Sequence, residues 1–161
     1  MWTDPQTPNV ADYTTFLYQI VGILPVSLPA TALVIPVTLA LAQEIVTEWL
    51  MVASCPPLLT PPQPSLYVLA VYNLATDRLF NYAQDVNGQT FFEDARVKWR
   101  LLETSVGVPS QSSDSGTAVG ILNPEQMKLL TLQDLQTLKT PFGRQYMAIA
   151  QKFGREIWGL T

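Results

Sequence analysis

Apolar residues recur along most of this chain at helical rather than strand spacing. Tyr13, Phe16, Leu17, Ile20 and Val21 fall on one face of a first helix. Asn9 or Asp12 can cap its start, and Gly22 ends it. Residues 23–35 then form a proline-punctuated connector. Pro36 suits the first position of a second helix. Val37, Leu41, Ile45, Trp49 and Val52 form its predicted apolar stripe, with Glu44 and Glu48 on the other side. Residues 54–64, SCPPLLTPPQP, hold five prolines and predict a stiff, polyproline-like joint between helices. Ser65 caps a third helix over 66–85. Its polar residues, Asn73, Asp77, Asn81 and Gln84, make one narrow stripe. A helix that apolar belongs at the centre of its fold or between subunits.

After the Asn87-Gly88 turn, residues 91–103 admit two readings. Val97, Trp99 and Leu101 alternate with Arg96, Lys98 and Arg100, as in a strand. Phe92, Ala95, Trp99 and Leu102 share a helical face, and Asp94 precedes Lys98 by one turn. The helix is preferred because it matches the neighbouring elements. Residues 107–120, GVPSQSSDSGTAVG, lack large side chains and predict a long exposed loop. Asn123-Pro124-Glu125 then reads as a helix start. Thr131 and Asp134 resemble a capping box, and Thr140-Pro141 opens the last helix. Phe142, Tyr146, Ile149, Ala150, Phe153 and Ile157 lie on one face of it. Trp158 and Leu160 follow as an aromatic tail, which either fills a partner's pocket or folds back on its own core.

The expected fold is mainly α. It is a small helical bundle with extended N-terminal and C-terminal arms and a long serine-rich loop. One domain covers 1–161: a flexible arm (1–8), a helical core (9–105), the loop (106–122) and a C-terminal helical arm (123–161). With 161 residues the chain can bury a core without metal or disulfide help.

Composition narrows the chemistry. There is no histidine, which removes the commonest general base and metal ligand. Cys55 is the lone cysteine, so no internal disulfide or cysteine-based zinc site can form. Glu44 and Glu48 read as a solvated face rather than a catalytic pair. The serines of the loop have no base beside them, and no phosphate-cradling glycine loop occurs. The chain therefore reads as a structural or interaction protein, not an enzyme, with no cofactor and no metal.

Charge adds two exclusions. The net charge is −4, all of it carried by residues 1–80, so the chain is poorly suited to grip phosphates but can let DNA slide past. Arg96, Lys98 and Arg100 read as a solvated face paired with Glu93, Asp94 and Glu103. No charge lies between Asp12 and Glu44, a gap longer than the roughly 20 residues of a membrane helix. Pro25, Pro29 and Pro36 break that run, and no Lys or Arg precedes Arg78 to mark a signal or a cytoplasmic flank. No membrane insertion is expected. The connector is still apolar enough to need cover from a neighbouring chain.

Four stretches in order resemble a group of small tailed-bacteriophage proteins. FLYQIVGILPVSLP with ALAQEIV is similar to their N-terminal helix pair, and LYVLAVYNLATDRLFNYAQD to their central helix. GVPSQSSDSGT is similar to their serine-rich loop, and LTLQDLQTLKTPFGRQYMAIAQKFG…WGL to their C-terminal region. The resemblance implies a head-to-tail adaptor, also called a head–tail connector or head completion protein. Such proteins form rings, usually of twelve copies, beneath the portal in the virion neck, and they present a docking surface to tail or nozzle proteins. At −4 per copy such a ring would carry roughly −48, an acidic lumen suited to DNA passage. Absence of cysteine pairs suits assembly in a reducing host cytoplasm. Within this reading, the portal or subunit interface falls on Leu138, Lys139, Thr140, Pro141, Phe142, Arg144, Tyr146, Trp158 and Leu160. Ser110, Ser112, Ser113, Asp114, Ser115 and Thr117 form a mobile loop. The alternatives are another neck or tail-completion protein, such as a tail terminator or collar, and a membrane-active phage protein using residues 16–42.

Overall fold

The helix over 66–82, with its single narrow polar stripe, becomes the centre of the fold. The computed structural model describes residues 2–46, 64–86, 88–103, 111–114, 117–120 and 131–153. The mainly helical bundle expected from the pattern is present: α1 (Val10–Phe16), α2 (Val34–Ile45), α3 (Leu66–Tyr82), α4 (Phe91–Lys98), α5 (Leu132–Thr137) and α6 (Pro141–Phe153). Ser65 starts α3 as its sequence predicts, its hydroxyl accepting the N–H of Val68 at 3.2 Å. That bond satisfies one of the donors a helix start leaves open. Nearly every residue from Tyr67 to Phe80 is buried, and α3 packs most extensively against α2 and α6. Two buried polar groups of α3 turn inward on its own backbone. Asn73 donates to the Leu69 carbonyl and Thr76 to the Tyr72 carbonyl, both at 2.7 Å.

The N-terminal arm is extended, and it is tied down. Trp2 stacks on Tyr72 with ring centroids 5.9 Å apart. The Pro5 carbonyl accepts the N–H of Ser65 at 2.8 Å. Asp12, buried in α1, accepts the backbone N–H groups of Thr3 and Asp4 and the amide of Asn9 at 2.8–2.9 Å. Burial works against ionising this carboxyl, but the bonds from Asp4, Thr3 and Asn9 outweigh it and hold it below its ordinary 3.8. Asn9 is the helix cap, its side chain accepting the N–H of Asp12 at 2.8 Å. After Phe16 the helix widens into a π turn, Leu17–Val21, which Gly22 closes at φ 82°. Glycine takes that left-handed conformation without the Cβ clash another residue would meet.

Helix α2 presents the opposite face from the one its pattern predicts. Ile35, Thr38, Leu39 and Ala42 point into the core, while Val37, Leu41 and Ile45 point outward. Trp49 and Val52, the rest of the predicted stripe, lie outside the described residues. The helix has two apolar stripes, and Thr38 made the true inner one look polar. Its hydroxyl is satisfied locally by the Val34 carbonyl at 2.8 Å, so it can be buried at little cost.

Residues 91–98 are helical, as the face argument predicts, and two polar clamps fix α4 to the end of α3. Asp85 accepts the N–H groups of Phe92 and Glu93, each at 2.8 Å, at the start of α4. Arg96 reaches back to the Phe80 carbonyl at 3.0 Å and to the Ala83 carbonyl, capping the end of α3. Arg96 is thus a structural cap rather than part of a solvated basic face. Helix α4 ends in a Schellman turn: Leu101 N–H bonds the Arg96 carbonyl at 2.9 Å, with Arg100 at φ 52°. That turn buries Leu101 and leaves Leu102 78% exposed, so Leu102 is not on the packing face the helical pattern assigned it.

At the C-terminal side, Thr131 and Asp134 form the predicted capping box. In helix α6 Met147 and Ala150 are buried, and Phe142, Tyr146 and Ile149 pack against the core cluster. A Cβ on Gly143 would overlap the Thr137 carbonyl, so only glycine lets α6 pass so close to α5. The helix start at Asn123 lies outside the described residues, as does everything after Phe153. Within the serine-rich segment, β1 (Gln111–Asp114) pairs antiparallel with β2 (Thr117–Gly120), Asp114 opposite Thr117. The intervening Ser115-Gly116 is a turn-forming pair, the signal for a hairpin within a segment read as loop.

Two substitutions probe this framework. Folding lowers the Asp12 value, so its contribution is full above 3.8 and fades as pH falls through the lower native value. Asp12→Asn should therefore cost about 2 kcal/mol at pH 7, with the gap to wild type narrowing in acid, read by urea denaturation. Tyr13 is fully buried, and its hydroxyl lies near those of Thr38 and Thr76, which donate instead to carbonyls of their own helices, so it makes no well-formed hydrogen bond among the described residues. Tyr13→Phe should leave the Tm unchanged or raise it, because an unpaired buried hydroxyl is removed.

Candidate functional site

Four aromatic rings from three helices meet beneath α4. Phe80 lies at their centre: its ring is parallel to Phe142 of α6 at 5.7 Å and edge-on to Trp99 at 4.7 Å. Phe91 stands 6.1 Å away at a tilt. These four rings line an open groove of about 290 Å³ together with Val21 and Ala95, and the exposed Asp94 and Lys98 stand on its rim. Edge and parallel contacts of this kind hold rings in place. The groove is therefore a preformed apolar surface with one acid and one base beside it.

The approach of α6 to this wall is set by a buried polar bond. Thr140 donates its hydroxyl proton to Asp77 at 2.6 Å and accepts the N–H of Gly143 at 2.8 Å. One side chain thus caps α6 and links it to the middle of α3. Asp77 is buried, and desolvation raises its carboxyl to about 6, although the Thr140 bond and the neighbouring Arg78 charge both act to lower it. In the sequence Asp77 appears only as one member of a polar stripe. Thr140 appears only as a helix opener. Their pairing across 63 positions has no local signal.

The proposed interface residues fall into four groups. Thr140 is buried in that bond, and Phe142 is part of the groove wall. Leu138, Lys139, Pro141 and Tyr146 are partly buried. Lys139 donates to the Arg100 carbonyl at 3.1 Å and also to the Glu103 carbonyl, stapling the α5–α6 turn to the end of α4. Arg144 is exposed, and its guanidinium reaches the carbonyls of Leu138 and Lys139 at 3.1 and 3.2 Å. Trp158 and Leu160 lie outside the described residues. Of the loop set, Ser112, Ser113, Asp114 and Thr117 are in the hairpin, while Ser110 and Ser115 lie outside the described residues.

A second surface is the outer face of α2. Leu33, Val37, Leu41 and Ile45 recur every four residues along one ridge, 81%, 54%, 44% and 43% exposed. Ridges of this spacing are what pack into the grooves of another helix. In the connector, Leu24 and Val26 are also exposed.

Other chemistry is sparse. Among the described residues, no group of three or more His, Cys, Asp or Glu is placed to hold a metal, and no helix is long and apolar enough to cross a membrane. Of the three basic residues near 98, Arg96 is engaged as a cap, and Arg100 pairs with Glu103 at 3.9 Å on the surface. What the described residues do present are two exposed or open apolar surfaces.

Asp77 supplies a pH test. The native state keeps its proton up to about 6, whereas the unfolded chain releases it near 3.8, so this group's contribution falls as pH rises between those values. Asp77→Asn keeps an acceptor for Thr140 and removes that slope. It should match wild type near pH 4 and exceed it by about 3 kcal/mol at pH 7, measured by denaturation across pH. No protein-family model, no curated protein and no solved structure matches this chain.

Proposed function

We propose that this protein is a structural component of a tailed-phage neck: a head-to-tail adaptor that assembles as a ring between portal and tail, with DNA passing through its lumen. The observation that carries the reading is the ridge of Leu33, Val37, Leu41 and Ile45 on a helix whose other face already fills the core. Water-facing apolar ridges of this extent call for a partner helix. Ring subunits need apolar flanks, and a second flank is available at the aromatic groove. The sequence resemblance of four ordered stretches supplies the identity of the assembly. The net charge of −4 suits a lumen that repels phosphate rather than gripping it. Arg144, exposed at the start of α6, is the residue of the proposed portal set best placed to meet another chain.

The test is assembly on purified portal, followed by light scattering and electron microscopy. A ring on the portal is expected. Val37→Asp with Leu41→Asp should weaken it at least tenfold while leaving helicity and Tm near wild type, since both side chains face water in the single chain. Failure to bind portal overturns the adaptor reading, and binding to tail tube instead points to a terminator or collar subunit.

A further inference from the structure

We propose that the aromatic groove of each copy receives Trp158 from a neighbouring copy of the same chain. This deepens the ring reading and rests on it only in requiring that copies stand side by side. The groove has the size of a site for one large side chain: about 290 Å³, at the small end of ligand pockets. Phe80, Phe91, Trp99 and Phe142 line it, and no cluster of polar groups converges there to orient a cofactor. An indole makes the same parallel and edge contacts that already hold these rings together.

Charge selects this segment. Asp94 and Lys98 stand one helical turn apart on the rim. Arg155 and Glu156 immediately precede Ile157 and Trp158 in the sequence, so an inserted Trp158 brings a base and an acid to meet an acid and a base. Such rim pairs favour register and correct pairing.

Reach selects the neighbour. Phe142, in the groove wall, opens α6, and Phe153 closes its described length. At 1.5 Å per residue those two are about 16 Å apart along the axis. The five residues from Phe153 to Trp158 span at most ~17 Å when fully extended. Returning to its own groove would require the chain to reverse at once after Phe153 and double back beside α6 with little slack. A groove on an adjacent copy imposes no reversal.

The experiment uses the full chain at high concentration, with a photo-crosslinking residue in place of Leu160 and Trp158 intact. Isotope-labelled and unlabelled copies are mixed in equal amounts. Crosslinks to residues 91–99 or 142 in mixed-isotope pairs are expected. Crosslinks within one copy, at another surface, or to a co-purifying protein overturn the proposal. In a second arm, Lys98→Glu should weaken self-association at least tenfold, and adding Glu156→Lys to it should recover at least fivefold. A misfolded variant would show no such recovery, and absence of recovery with the fold intact overturns the rim pairing. Neither arm contains portal. Lost portal binding with these crosslinks present retires only the adaptor reading, and portal binding with crosslinks elsewhere retires only the groove assignment.

Discussion

Burial of α3 on nearly every side is the constraint from which the other contacts follow. Across 17 residues the helix offers water little more than its last turn, so it must be covered by α1, α2, α4 and α6 together. Apolar burial drives that covering but does not direct it, since the hydrophobic effect has no orientation of its own. Direction comes from a few polar bonds at the ends of elements. Asp12 binds the N-terminal arm beside α1, Asp85 and Arg96 clamp α4 to the end of α3, and Asp77 holds Thr140 at the start of α6. Each of these side chains satisfies backbone groups that a helix end or an extended segment leaves open, directly or through the cap it supports.

That arrangement explains where the exposed apolar surfaces lie. The core is completed by one stripe of α2, which leaves the second stripe in water. At the other end of α3, the rings of Phe80, Trp99 and Phe142 pack against one another, with Trp99 and Phe142 left partly exposed beside an open groove. Both surfaces are by-products of covering α3 with short helices. A surface preformed in the single chain loses little conformational entropy when a partner arrives, which favours assembly.

What was legible in the sequence was local. The Asn9 and Ser65 caps, the Gly22 stop and the Thr131–Asp134 box each depend on residues within one helical turn, and each is found as the pattern predicts. Errors arose where two answers were locally equivalent. Helix α2 has apolar residues on two faces, and nothing within it says which one meets α3. The end of α4 was misread because Arg100 takes a left-handed conformation that glycine usually marks, so Leu101 rather than Leu102 turns inward. Of the candidate site, the exposed Arg144 and the ring-bearing Phe142 were visible as residues, but the groove was not.

By itself, then, the sequence determined the helical class and the caps, because these depend on residue type and on neighbours a few positions away. Tertiary structure decided which face of α2 is surplus, that Asp77 is buried against Thr140, and that rings from α3, α4 and α6 share one wall. The physical reason is range. Capping and periodicity act over one or two turns, whereas burial and desolvation are properties of a site assembled from distant segments.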